Sequence, residues 1–168
     1  MDTSQLECMI QCDPTMKHRI VGVFAADRLP SGILNGHGFI ANTDPQSQPG
    51  RHWCAFFRDD HGAVQFFDSY GLNPRQNSKY FDIWLKENAC SITVNSTQLQ
   101  SNTSVVCGLY CIAFLHHRLS GHTFQDFVNM FTSDQSANDN FIYRSISMAY
   151  VNCFSSKRVH NQICCNRM

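Results

Sequence analysis

The sequence has little charge and no excess of either sign. Charged residues make up 15% of its 168 residues, and thirteen Lys and Arg balance thirteen Asp and Glu. A zero net charge provides no bulk attraction to nucleic acid or to an anionic membrane. With 43% hydrophobic residues, the composition excludes an intrinsically disordered chain. The length suits one compact domain, residues 1–168, rather than two.

Long apolar runs, repeats and a secretion signal are also missing. No apolar segment approaches the roughly 20 residues that a membrane span requires. The first residues carry acids and lack the basic-then-apolar order of a signal peptide. We therefore expect an intracellular monomer without membrane contact. One segment carries a net positive charge: residues 155–168 contain Lys157, Arg158 and Arg167 and no acidic residue. They indicate a solvated basic tail, with weak nucleic acid contact as the alternative.

Cysteine, in contrast, is abundant, with nine residues. An odd count without a secretion signal argues against a disulfide framework. Zinc is the next candidate, because Cys107 and Cys111 are followed by His116 and His117. The two cysteines nevertheless lie in one apolar, helix-like run, and no second Cys pair is nearby at finger spacing. We expect mostly reduced thiols and no metal site.

The hydrophobic pattern predicts a helix, then strands, then helices, which indicates an α+β fold. Val105–Leu119 is apolar on nearly all sides, as in a buried helix, and Ser101–Ser104 offers N-cap candidates before it. The other predicted helices cover 3–12, Tyr80–Asn88, Thr123–Thr132 and Phe141–Cys153, and the predicted strands cover Gly38–Asn42, His52–Arg58, Ala63–Asp68 and Ser91–Val94.

Two side chains at the ends of the predicted hairpin are candidates for catalysis. His52 opens the first strand and Asp68 closes the second, and an antiparallel hairpin places these two ends side by side. A carboxylate that orients an imidazole is the supporting half of a nucleophile–base–orienter triad. The alternative is that His52 is an ordinary core or surface residue and that Asp68 only shapes a turn.

Cys107 is the candidate nucleophile, because it lies at the start of the buried helix. Unpaired N–H groups and the positive end of the helix dipole stabilise a thiolate there. The backbone N–H of Cys107 can form half of an oxyanion hole, and the side chain of Gln100 is a candidate for the other half. The alternatives are an apolar core cysteine and a surface glutamine.

Several segments resemble the adenovirus maturation protease (adenain) family, in the order His, acid, Gln, Cys. The acid differs, since that family carries Glu where this chain has Asp68. In this respect the chain is closer to the related SUMO-deconjugating proteases. The resembling segments are Val21–Phe24, Arg28–Pro30, Gly50–Phe56, Phe66–Gly71, Ser96–Gln100, Cys107–Cys111 and, loosely, Cys165–Met168.

The resemblance implies a papain-like fold, with a small mixed sheet and a buried helix that carries the nucleophile at its N-terminus. It implies a cysteine endopeptidase that uses Cys107, His52, Asp68 and Gln100 and requires no cofactor for its chemistry. The substrates would be viral or virus-like precursor proteins, cut after small or glycine-containing motifs, in the host nucleus or the virion. Removal of a ubiquitin-like modifier and a non-catalytic binding module are the alternatives.

Two further roles follow from the resemblance. Trp53 directly follows the base, so its ring would narrow the substrate channel and favour glycine beside the scissile bond. Viral members of the family are activated by a short peptide that adds to the sheet and is disulfide-linked to a protease cysteine, which aligns with Cys90. The family also uses DNA as a cofactor, but the zero net charge of this chain argues against that use here.

Overall fold

The structure is a computed structural model that describes the backbone of residues 1–165 and the side chains of residues 1–151. Six helices and five strands occur in this part of the chain. A short 3₁₀ turn at Ala26–Arg28 adds to them. In chain order the elements are α1 (Thr3–Cys12), β1 (Ile20–Phe24), β2 (His37–Asn42), β3 (Trp53–Arg58), β4 (Val64–Phe67), α2 (Pro74–Asn77), α3 (Lys79–Asn88), β5 (Ile92–Val94), α4 (Cys107–Leu119), α5 (Phe124–Asn129) and α6 (Gln135–Cys165).

The five strands form one mixed sheet in the order β1-β2-β3-β4-β5. The central strands β2, β3 and β4 pair antiparallel, and the outer strands β1 and β5 pair parallel to their neighbours. This confirms the predicted α+β class with a small mixed sheet.

Apolar residues cover both faces of the sheet, because side chains alternate between the faces along each strand. Phe57 and Phe67 point to the face covered by α1, α4, α5 and α6, and Phe67 stacks on Phe114 of α4. Phe56 points to the opposite face, where it packs edge-to-face against Phe81 and Trp84 of α3. Helix α4 therefore lies against β3 at the centre of the larger core.

Helix α4 is buried, as its sequence predicts, but the predicted N-cap is wrong. The residue before the helix is Val106, whose side chain makes no capping hydrogen bond. The Ser101–Ser104 segment instead closes a turn of its own, in which the N–H of Ser104 donates to the carbonyl of Ser101 over 3.2 Å. The first N–H groups of α4 are thus left without a side-chain cap.

The periodicity predicts most of the other helices and strands to within a few residues, but the predicted helix Phe141–Cys153 is too short, because α6 spans Gln135–Cys165. Two short elements were not identified. Strand β1 is a half-buried edge strand with a break in register between Ile20 and Val23, so it has no clear alternation. Helix α2 has four residues, too few for a periodic pattern. The predicted basic tail, 155–168, lies outside the described side chains. Within the described chain, no helix combines the length and apolarity needed to cross a bilayer.

Candidate active site

The β3–β4 hairpin brings His52 and Asp68 together. His52 directly precedes β3 and Asp68 directly follows β4, and the antiparallel register pairs Ala55 with Phe67. His52 Nε2 lies 2.5 Å from Asp68 Oδ1. Both residues are buried, Asp68 completely. The hairpin geometry inferred from the sequence is therefore sufficient to place the imidazole against the carboxylate.

Both oxygens of Asp68 accept further hydrogen bonds from the turn that follows β4. Oδ1 accepts from the N–H of Tyr70 over 3.1 Å, and Oδ2 accepts from the N–H of Leu72 over 2.9 Å and from Asn77 over 3.1 Å. Burial raises the pKa of Asp68, but the hydrogen bonds, that from His52 foremost, outweigh it and hold the pKa below the ordinary value. Asp68 is thus a charged carboxylate with a fixed orientation.

His52 also hydrogen-bonds to Cys107. Because Nε2 faces Asp68, Nδ1 is the ring nitrogen left for the thiol. Burial lowers the pKa of His52, yet its hydrogen bonds to Asp68 and Cys107 prevail and raise it to about 9. Burial raises the pKa of Cys107, yet the bond to His52 and its charge lower it overall. The two shifts favour a thiolate–imidazolium pair.

The start of helix α4 supports the thiolate. Cys107 is the first helical residue, so its N–H has no acceptor inside the helix. The sulfur also receives the backbone N–H groups of Trp53 and Gly108, which lower the pKa of Cys107. A Cβ at Gly108 would lie 3.1 Å from Met1 Sδ and 3.4 Å from Trp53 Cδ1, so glycine permits this close packing.

Gln100 lies close in sequence to Cys107 but is completely buried. Its Nε2 donates to the carbonyl of Ser104 over 3.1 Å, and its Oε1 accepts from Ser69 Oγ over 2.7 Å. The neighbouring Gln98 donates to the carbonyl of Gln100 and to Asn102. Each amide nitrogen carries two hydrogens, so the bond to Ser104 leaves Gln100 one further hydrogen to donate. Its role at an oxyanion stays a prediction.

A cleft of about 620 Å³ opens at Cys107. Trp53 lines it but is only 9% exposed, and its indole N–H donates to the carbonyl of Met1 over 3.1 Å. The N-terminal residue therefore lies beside the tryptophan on the wall of the cleft. The proposed effect of Trp53 on substrate choice stays a prediction. Other residues of the wall include Val23, Arg28, Arg51, Tyr70 and Val105.

Cys90 lies on the surface, away from this cleft. It precedes strand β5, which forms one edge of the sheet and whose three residues are all exposed. The Cys90 thiol approaches the carbonyl of Gly62 at 3.6 Å. The predicted sheet edge beside Cys90 is thus present, whereas a linked peptide stays a prediction.

Two residues near the triad were missed by the sequence reasoning. The ring of Tyr70 packs on His52 with centroids 4.8 Å apart. Cys54 lies two residues after His52 on the same side of β3, a period-2 relationship that the sequence contains. Burial raises the pKa of Cys54 far above the ordinary value, so it is a neutral thiol and a poor nucleophile.

One group of side chains has ligand atoms close enough to hold a metal. Among the described residues, those atoms of His52, Cys54 and Asp68 lie within 4.8 Å of one another. The His52 and Asp68 atoms are already hydrogen-bonded to each other, so an ion would have to break that bond. The zinc ligand set considered from the sequence, Cys107 and Cys111 with His116 and His117, is not among such groups of described residues. The imidazole of His116 lies 3.6 Å from the carboxylate of Asp13.

A helix-borne thiol, an imidazole and an orienting carboxylate form the constellation of cysteine hydrolases. Comparison with known proteins agrees: the chain is similar to adenain-like cysteine proteases of viruses. It is 32% identical to a thiol protease of Acanthamoeba polyphaga mimivirus over 67% of this chain, and 27% identical to the cysteine protease S273R of African swine fever virus over 61%. It is 30% identical to the protease of Snake adenovirus serotype 1 over 61%.

The chain spans 39%, 41% and 53% of the lengths of these three relatives. No protein-family model matches the chain. The crystal structure of the selenomethionine ASFV pS273R protease superposes with a TM-score of 0.40 and 21% identity, over 61% of this chain and 42% of that one.

Proposed function

We propose that this protein is a cysteine endopeptidase that uses Cys107, His52 and Asp68. The observation that carries the proposal is the unbroken series of contacts from Asp68 through the imidazole of His52 to the thiol at the start of α4. The lowered pKa of Cys107 and the raised pKa of His52 both favour ionisation of the nucleophile before the substrate arrives. The similarity to viral proteases supports the same activity.

The reaction proceeds in two halves. The Cys107 thiolate attacks the scissile carbonyl carbon, and the His52 imidazolium gives its proton to the leaving amine as the C–N bond breaks. Neutral His52 then takes a proton from water, and the resulting hydroxide attacks the thioester and releases the acid and the thiolate. Asp68 keeps its negative charge throughout and stabilises the imidazolium.

The oxyanion of each tetrahedral intermediate needs hydrogen-bond donors near Cys107. The N–H of Cys107 is available because α4 begins there without a side-chain cap. We assign the second donor to the amide of Gln100, which has a hydrogen left beyond its bond to Ser104. The bond from Ser69 to the amide oxygen fixes which end of the side chain carries the donor.

The substrates we propose are precursor polypeptides of a virus or virus-like element, processed in the host nucleus or virion and cut after glycine-containing motifs. Trp53 on the cleft wall supports a narrow channel at the reacting bond. We propose that no metal or DNA is required for the chemistry. Deconjugation of a ubiquitin-like protein is the competing outcome, which a folded modifier substrate would distinguish from a peptide.

We also propose a short activating peptide that pairs with the free edge of β5 and forms a disulfide with Cys90. Backbone groups on the outer side of an edge strand are open to an added strand. The exposure of Ile92 and Val94 and the exposed thiol at the start of this strand support the proposal. Covalent attachment would hold such a peptide at high effective concentration.

The test of the endopeptidase activity is a peptide-library cleavage profile of three proteins: wild type, Cys107→Ala and Cys54→Ala. Cys54 is the matched control, because it is a buried thiol close to His52 that has no role in the mechanism. We expect cleavage by wild type and Cys54→Ala and none by Cys107→Ala. Cleavage by Cys107→Ala at the wild-type rate would exclude the mechanism.

A further inference from the structure

Strand β4 ends at Phe67, directly before Asp68, and its pairing with β5 ends one residue earlier. The last paired residues of this parallel ladder are Phe66 and Val94. Beyond them, the peptide groups of Asp68 obtain no partner from the β5 backbone, although the residue is completely buried. Buried backbone N–H and C=O groups require hydrogen bonds, so another group has to supply them.

The side chain of Asn95 bonds to both groups, and the carbonyl of Asp68 also accepts from the N–H of Gly71 over 2.9 Å. Asn95 Oδ1 accepts from the N–H of Asp68 over 3.0 Å, and its Nδ2 donates to the carbonyl of Asp68 over 2.6 Å. A primary amide offers the same donor and acceptor as a peptide group, so Asn95 extends the pairing of β5 by a side chain. Asn95 is itself 5% exposed, and its Nδ2 also donates to the carbonyl of Thr97 over 3.2 Å.

The same segment is bound to the turn that follows Asp68. The N–H groups of Leu99 and Gln100 both donate to the carbonyl of Ser69, over 2.9 and 3.0 Å. On the side-chain end, Asn77 donates to Asp68 Oδ2. Asp68 is therefore held at its main chain by Asn95 and at its carboxylate by Asn77 together with the backbone N–H groups of the following turn, and Oδ1 is the oxygen that faces His52.

We propose that Asn95 is a positioning residue that acts through Asp68 on the Cys107–His52 pair, with Asn77 in a lesser supporting role. A rotation of the Asp68 main chain would move the carboxylate away from the imidazole, and misplacements of about 1 Å in an active site reduce rates roughly 100-fold. This inference rests on the proposed function for its effect on turnover. Its effect on the thiolate requires only the geometry described above.

The test measures the rate of Cys107 alkylation by iodoacetamide as a function of pH, followed by mass spectrometry of the peptide that contains Cys107. For Asn95→Leu, which has similar volume and no amide, we expect the acid limb of the profile to move up by about half a pH unit or more, because a displaced Asp68 supports the imidazolium less well. We expect kcat/KM for a cleaved peptide to fall roughly 10- to 100-fold.

Two further variants keep the test decisive. Asn95→Asp retains the size and the acceptor oxygen, but a carboxylate oxygen replaces the donor to the carbonyls of Asp68 and Thr97. It therefore provides the measurement if Asn95→Leu does not fold. Asn77→Leu removes one bond to Oδ2, and we expect a shift in the same direction that is smaller than that of either Asn95 variant.

The matched control is Asn138→Leu. Asn138 is 4% exposed and holds the backbone of Leu99 and Thr132 with its side-chain amide, but makes no bond to Asp68. We expect it to lower the melting temperature while the alkylation profile of Cys107 stays unchanged. Folded Asn95→Leu or Asn95→Asp with the wild-type profile would overturn the inference. A shifted profile in a chain that cleaves no peptide would overturn the proposed function alone.

Discussion

His52 Nε2 and Asp68 Oδ1 lie 2.5 Å apart although the two residues are 16 positions apart in the sequence. A single hairpin accounts for this contact, since the residues stand immediately outside its two paired strands. The third residue of the candidate triad, Cys107, lies on helix α4, which is distant from the hairpin in sequence and packs on β3. The candidate site therefore combines one local contact with one long-range contact, and each can be tested separately.

The first prediction concerns Asp68. The thiolate–imidazolium pair exists above the lowered pKa of Cys107 and below the pKa of His52, which is about 9. In Asp68→Asn the negative charge that helps to raise the pKa of His52 is lost while burial, which lowers that pKa, remains. We expect the alkaline limb of the pH–activity profile to move below pH 9 and kcat to fall by roughly 10²–10⁴. An unmoved alkaline limb would contradict the assigned contact.

The second prediction concerns Gln100. Loss of one oxyanion donor reduces kcat by roughly 10²–10³. We expect Gln100→Ala to show this loss in peptide hydrolysis, while alkylation of Cys107 by iodoacetamide, which forms no oxyanion, stays close to the wild-type rate. Gln98→Ala is the matched control, because this neighbouring amide donates to the carbonyl of Gln100 and to Asn102 instead. If Gln98→Ala is the sensitive variant, the donor has been assigned to the wrong glutamine.

The third prediction concerns Trp53. Its ring lines the cleft beside Cys107, so we expect glycine to be preferred on the acyl side of the cut bond. Trp53→Ala should admit larger residues at that position in a peptide-library profile, whereas Trp53→Phe, which keeps a ring but not the N–H that binds Met1, should largely keep the preference. Acceptance of bulky residues there by the wild type would disprove the assigned role.

The fourth prediction concerns the β5 edge and Cys90. We expect the purified chain to have low activity and to be stimulated by a peptide from its own genome that forms a mixed disulfide with Cys90. Cys90→Ser should abolish the covalent link and weaken the stimulation, because the added strand loses its high effective concentration. Mass spectrometry detects the adduct and a cleavage assay the stimulation. Full activity of the chain alone, unchanged in Cys90→Ser, would refute the activation.

Much of the site follows from local sequence patterns. Two short, mostly apolar runs, Trp53–Arg58 and Val64–Phe67, with a turn between them, indicate a hairpin, and a hairpin determines which residues stand at its open end. The apolar run after Val106 likewise predicts a buried helix with Cys107 in its first turn. Strand β1 was not predicted, because the sequence of this irregular edge strand has no clear hydrophobic periodicity.

By itself, the sequence determined the α+β class, the β3–β4 hairpin and the helix that begins near Cys107, because each depends on periodicity or on contacts between near neighbours. Only the tertiary structure decided that the pKa of Cys107 is lowered and that of Cys54 raised, since burial raises both values and the hydrogen bond and charge of His52 lower that of Cys107. It alone also revealed Asn95 at the backbone of Asp68. Parallel pairing of β4 with β5 joins residues 28 positions apart, and no local pattern encodes such a register.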